Sequence, residues 1–319
     1  MLDILAITTP IYLIILTGFL MTRNGLFNKA DMRLLGRFVI QLALPALVFQ
    51  AVSARPIGDI FNPAYMLPYL IGSLLSMAIG YGWARRQGRL DLTASTFRAM
   101  GVSCSNSGFV GYPILLLSLT PVAGMALAMN MVVENLVMIP LLLVMAEHGR
   151  GGTSAWRSFG QSMRQLARHP LFIAMAAAVA VSLTGVTLPA PLTQTIRMFA
   201  AASGALSLFV IGGTLVGLPW QGMARQALPT ILGKLILHPL MVLLCILALP
   251  LIGQPMLDPT LRMAAVILAA VPMLGIYPTL AQHYGQENFC ASALLLTTIV
   301  SFFTLSLLLW VQQHLPAMI

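Results

Sequence analysis

The chain has 319 residues, of which 59% are hydrophobic and 8% charged, where soluble domains carry about 25% charged residues. It cannot clothe a water-facing surface, and apolar runs of about 20 residues recur along it, so it reads as an all-α polytopic membrane protein. Its net charge of +9 does not signal nucleic acid, because the basic residues sit in short loops between apolar runs with no aromatic interleaving.

In chain order, the first apolar run, Ile4 to Met21, lacks a cationic leader and a small-residue cleavage site, and is expected as a retained helix. Ten spans are expected, at roughly 4–22, 33–54, 64–84, 95–119, 122–146, 170–188, 195–218, 227–252, 260–283 and 290–313. Pro/Gly/charge clusters such as Arg55-Pro56-Ile57-Gly58-Asp59 and Pro255-Met256-Leu257-Asp258-Pro259 separate them. The connection from Glu147 to His169 divides five spans from five. The expected organisation is a first five-helix repeat over 1–146, a cytoplasmic linker over 147–169 and a second repeat over 170–319.

Basic residues set the orientation. Arg23, Lys29, Arg33, Arg37, Arg85, Arg86, Arg89, Arg98, Arg150, Arg157, Arg164, Arg168, Arg225 and Lys234 fall on one side, leaving Arg55, Arg197 and Arg262 on the other. The positive-inside rule then puts both termini outside a bacterial inner membrane. With five spans each, the halves enter from opposite sides and form inverted repeats. Pro10 and Pro170 are expected to open the first and sixth spans.

The sharpest feature is a polar, glycine-rich interruption of the fourth span, Ser103-Cys104-Ser105-Asn106-Ser107-Gly108-Phe109-Val110-Gly111-Tyr112-Pro113. Val271-Pro272-Met273-Leu274-Gly275-Ile276-Tyr277-Pro278 echoes it in the ninth. Gly108, Gly111 and Pro113, and later Pro272, Gly275 and Pro278, disfavour an unbroken helix. Backbone groups freed at membrane depth must face protein or a water-filled cavity. Matched breaks in two halves are the signature of a secondary carrier. A half-helix starting near Pro113 would aim its N–H groups at the break and favour an anion. Ser105, Asn106 and Ser107 supply side-chain partners, with Asn106 the best single ligand candidate. Tyr112 and Tyr277 offer a hydroxyl or an aromatic wall. A plain Pro/Gly kink is the alternative.

Ser105 through Pro113 resembles the crossover signature of the auxin efflux carrier family, which includes PIN-type carriers and bacterial carboxylate permeases. Lys234 through Pro239 and the Pro272/Pro278 break are similar to it too. The resemblance implies a fold like the bile-acid/sodium symporters, with helices 4 and 9 crossing at their breaks and an elevator-type motion. It also implies Asn106 on a substrate carboxylate and a homodimer. The chain most resembles the malonate/malate permease branch, so a small dicarboxylate is the expected solute. An auxin-like monocarboxylate exporter and a bile-acid-symporter-like organic anion carrier are the alternatives.

Charges within spans complete the list of candidates. Glu134 lies near the centre of the fifth span, where a carboxylate is expensive and by default functional, as a proton carrier or cation ligand; a structural partner for a polar neighbour is the other reading. Asn130 sits one turn earlier on the same face. Lys234 and His238 share a face of the eighth span. Lys234 is expected to snorkel toward the cytoplasmic side, or else to attract the anion or neutralise Glu134. His238, before Pro239, would satisfy freed carbonyls or titrate. No cofactor is called for, and coupling to a proton, to a sodium ion or to no ion is left open. Cys104, Cys245 and Cys290 form no disulfide or zinc pattern. The scattered histidines make no HExxH, and Gly233-Lys234 lacks the rest of a phosphate loop, so no enzyme is expected.

Overall fold

In the computed structural model, residues 2–53, 62–86, 88–149, 160, 164, 168–218 and 223–314 are described. Arg55, Asp59, Arg150 and Arg157 from the loop reading lie outside them. The described residues form helices and no strand. These are α1 (Leu2–Arg23), α2 (Lys29–Ser53), α3 (Pro63–Arg86), α4 (Leu92–Ser103), α5 (Tyr112–Ser118) and α6 (Thr120–Gly149). The second half holds α7 (Pro170–Thr184), α8 (Ala190–Thr214), α9 (Ala224–Leu247), α10 (Pro259–Ala270), α11 (Tyr277–Ala281) and α12 (Glu287–His314). Six stretches among the described residues, in α2, α3, α6, α8, α9 and α12, are long and apolar enough to cross a membrane.

Helix ends follow local chemistry. Asn28 and Asp31 form a capping box at the start of α2. The Asp91 carboxylate accepts the Ala94 N–H at 2.6 Å at the start of α4, and Asp258 accepts the Thr260 N–H at 2.9 Å at the start of α10. Pro170 does open α7. Pro10 does not open α1, which runs through it; the surrounding apolar residues continue the helix, and a proline inside a membrane helix is tolerated when neighbours re-satisfy the freed carbonyl.

Four helical turns are wider than α, with backbone bonds spanning five residues: Val39–Ala43, Ser107–Gly111, Glu134–Met138 and Gly233–Leu237. Each is followed by a residue and then a proline: Pro45, Pro113, Pro140 and Pro239. The cause is common to all four. Proline has no N–H, and its ring clashes with the carbonyl four residues back, so the preceding turn opens.

The chain packs as two compact units, each drawing on both halves of the sequence. The first comprises Met1–Asn62, Gly108–Met129 and Gln165–Val216; the second comprises Pro63–Ser107, Asn130–Arg164 and Gly217–Ile319. In the first, α1 lies along α8, and α7 packs on the last part of α2. Contact between α1 and α8 depends on missing side chains: a Cβ on Gly212 would strike the Ile15 carbonyl, and one on Gly18 the Phe209 carbonyl. Small residues at such crossings let membrane helices approach closely. In the second unit, α3 packs against α4 and α9, α4 also meets α6, and α10 meets α9. Residues 93–103 of α4 and 263–270 of α10 are all buried, although α4 is rich in Ser and Thr. Two of its hydroxyls turn back on their own helix, with Thr96 donating to Leu92 O at 2.8 Å and Ser103 to Ala99 O at 2.9 Å, while Thr93 donates across to Ala146 O on α6 at 3.2 Å.

Gly212→Ala is expected to cost about 1–3 kcal/mol, because the obstructing atoms are backbone. Gly204→Ala on the same helix meets nothing within 4 Å and is expected to be neutral. Melting temperatures of the two purified variants in detergent check the contrast.

Candidate functional site

Both expected interruptions are present. Helix α4 stops at Ser103, Cys104 is extended and Ser105 and Asn106 are non-helical, and the chain re-enters helical geometry at Ser107. The restart therefore comes six residues before Pro113, through a wide turn that accommodates the proline. In the ninth segment, α10 stops at Ala270 and α11 begins at Tyr277, with Pro278 in its first turn. The two interruptions touch: the Asn106 N–H donates to Pro272 O at 2.8 Å. A backbone donor and a carbonyl, each stripped of its helical partner, satisfy each other across the chain.

Around this contact the second unit holds a buried polar network. Glu134 is 1% exposed. One carboxylate oxygen accepts the Ser105 N–H at 2.8 Å and the Tyr69 hydroxyl at 3.3 Å; the other accepts the Ser107 hydroxyl at 3.1 Å. The Asn130 amide donates to Ser107 Oγ at 2.7 Å and to Tyr69 Oη at 3.0 Å. The wide turns put Glu134 and Lys234 where these contacts form: Glu134 opens one, and Lys234 is second in another.

Lys234 does not snorkel outward. It is fully buried, and its ammonium donates to Ser105 Oγ at 2.6 Å, Ala269 O at 2.7 Å and His238 Nδ1 at 2.8 Å. The lysine stem runs among α9, α10 and the break, and Ala269 lies in the last turn of α10, where carbonyls lack helical partners and the dipole favours a cation. An ammonium has donors only, so His238 accepts at Nδ1 and carries its proton on Nε2. That nitrogen lies 2.9 Å from Ser73 Oγ. Ser105 joins the two charges, with its N–H on Glu134 and its hydroxyl on Lys234. Hydrogen bonds to charged groups contribute about 1.5–3 kcal/mol each, so three on each ion offset a desolvation cost of several kcal/mol.

Asn106 stands apart. Its side chain is 4% exposed, and its amide nitrogen is without a partner among the described residues. Tyr277 is committed elsewhere: it is fully buried and donates its hydroxyl to Phe97 O, two turns back along α4. Gly101 leaves the room for that ring, since a Cβ there would come within 2.7 Å of the Tyr277 hydroxyl. Gly275 and Pro278 are half-buried. Gly108, Gly111, Tyr112 and Pro113 belong to the first unit and are buried there. In that unit Ser207 on α8 donates to Phe109 O at 3.1 Å, satisfying a carbonyl of the wide turn.

Three residues that make these contacts, two in the second unit's network and one in the first unit, escaped the sequence reading. Tyr69 and Ser73 are one turn apart on α3, with Tyr65 a turn before, so a polar stripe at helical spacing was there to read. Ser207 lies in a Ser203-Gly204-Ala205-Leu206-Ser207 stretch that carries no distinguishing pattern.

A "Putative malonate transporter" of Rhizobium meliloti (strain 1021) is 28% identical over 323 aligned positions, 99% of each chain. The "Uncharacterized transporter YfdV" of Escherichia coli (strain K12) is 26% identical over 74% of this chain and 76% of its own length. An "Uncharacterized transporter" of Methanothermobacter thermautotrophicus is 31% identical over 33% of this chain and 34% of its own. The family and these relatives are transporters, not enzymes. With residues 4–310 matching the family described as "Membrane transport protein", the chain belongs to that family, the auxin efflux carriers, as a membrane transporter.

Proposed function

We propose that this transporter is a secondary carrier of small dicarboxylates such as malonate or malate, bound where the fourth and ninth segments are interrupted. The observation that carries the reading is Asn106: its backbone ties the two interruptions together, and its buried side-chain amide donor has no partner among the described residues. A buried donor left unpaired costs about 1–3 kcal/mol, which an entering carboxylate would recover. The full-length similarity to the Rhizobium protein described as a malonate transporter supports the substrate class.

In the same proposal the ten helical segments form two inverted five-helix repeats, crossing at segments four and nine and working by an elevator-type motion. The carrier sits in a bacterial inner membrane with both termini outside, as a homodimer among lipids. In the second unit Ser105, Ser107, Pro272, Gly275 and Pro278 shape the binding region, and Tyr277 braces it through Phe97. Glu134, with Asn130 beside it, is the group that takes up and releases a proton as the anion moves.

Asn106→Ala in proteoliposomes is expected to lower malonate uptake by about tenfold while leaving the melting temperature within a few degrees of wild type, since one hydrogen bond to a charged group contributes about 1.5–3 kcal/mol. Uptake equal to wild type would remove Asn106 from the site.

Glu134→Gln keeps the shape and removes the titration. Uptake measured across a pH series should lose its pH dependence in this variant. A profile that parallels wild type would leave Glu134 a structural role only.

A further inference from the structure

We infer that Lys234 is a cation carried by the chain itself: its ammonium fills a three-acceptor site beside the break, and no sodium ion is needed there. The part of this inference that concerns coupling rests on the carrier reading above; the part that concerns the site does not.

Three features define the site. Its acceptors come from different elements: Ser105 Oγ from the interruption after α4, Ala269 O from the end of α10, and His238 Nδ1 from α9. All three lie at 2.6–2.8 Å, the range of charge-assisted bonds, and together they use every hydrogen of the ammonium. The set is that of a cation site in a carrier: a carbonyl at the end of an interrupted helix, a hydroxyl, and a carboxylate one residue away through the Ser105 N–H. Broken helices in transporters hold coupling cations with such carbonyl ends. Here the place is taken by a covalently attached ammonium. A free cation would have to displace it from all three acceptors and would meet its charge in a medium of low dielectric.

Cys104, Tyr69, Tyr65 and His238 are the other ionisable groups described within electrostatic range of the Glu134–Lys234 pair, and His238, which accepts from the ammonium at Nδ1, is neutral there. None of them supplies a positive charge, so among the described residues Lys234 is the counter-ion of the buried carboxylate. Removing the side chain beyond Cβ leaves three acceptors around a hole with the outline of propylammonium, because Lys234→Ala deletes three carbons and the nitrogen. The chemical class of ligand for that hole is a primary alkylammonium.

The test compares purified wild type and Lys234→Ala by thermal unfolding in detergent, at equal ionic strength in KCl, NaCl, propylammonium chloride and tetramethylammonium chloride. Wild type should melt at one temperature in all four salts. Lys234→Ala should melt lower, and propylammonium should raise its melting temperature while tetramethylammonium, with the charge but no N–H, should not. Stabilisation of wild type by sodium would overturn the inference even if the variant cannot be purified, and so would a variant indifferent to propylammonium. In proteoliposomes, wild-type malonate uptake should be the same in sodium and in choline. Uptake by Lys234→Ala should fall by about tenfold or more and recover with propylammonium. If wild type moves no dicarboxylate while propylammonium still stabilises the variant, the substrate reading fails and the ammonium site stands.

Discussion

Ser105 is the residue on which the interior of the second unit depends. Its backbone N–H, released where α4 ends, goes to Glu134, and its hydroxyl takes the ammonium of Lys234. A carboxylate and an ammonium are thereby held in one buried network, each with three hydrogen bonds, where bare charges would be untenable. The interruption of the helix is what makes this possible. An unbroken helix would have spent the Ser105 N–H on a carbonyl one turn back, and Glu134 would have lost its shortest bond.

The same economy governs the backbone. Membrane interiors leave no water to satisfy loose peptide groups, so each break must be answered by something specific. Asn106 N–H finds Pro272 O, Lys234 finds Ala269 O, and Ser207 finds Phe109 O. Four prolines open the turns before them, and two of those wide turns present the buried charges. Proline thus acts twice: Pro272 lends its carbonyl at a break, while Pro140 and Pro239 distort helices that continue. Wide turns of this kind recur at functional sites because they re-aim side chains without ending the helix.

Much of this was legible beforehand. The helical segments, both interruptions, and Asn106, Asn130, Glu134, Lys234 and His238 follow from apolar runs, from helix-breaking residues and from the expense of polarity at depth. Lys234 shows where such reasoning stops. A lysine two turns from a basic loop ordinarily reaches for the interface, and only the position of Ala269 and Ser105 turns it inward. Tyr277 is a similar case, placed at a break by the sequence yet tied to Phe97 by packing. The stripe of Tyr65, Tyr69 and Ser73 was readable by spacing, but hydroxyls on a membrane helix often bond their own backbone, so spacing did not say that these would look across.

By itself, then, the sequence determined that the chain is helical, membrane-embedded and interrupted twice, because each property follows from local composition and from the conformational limits of glycine and proline. Only the tertiary structure decided which loose group meets which: that Asn106 reaches Pro272, that Ser105 joins Glu134 to Lys234, and that two units each draw on both halves of the chain. Those pairings join residues far apart in sequence, and no periodicity or propensity records a distance across the fold.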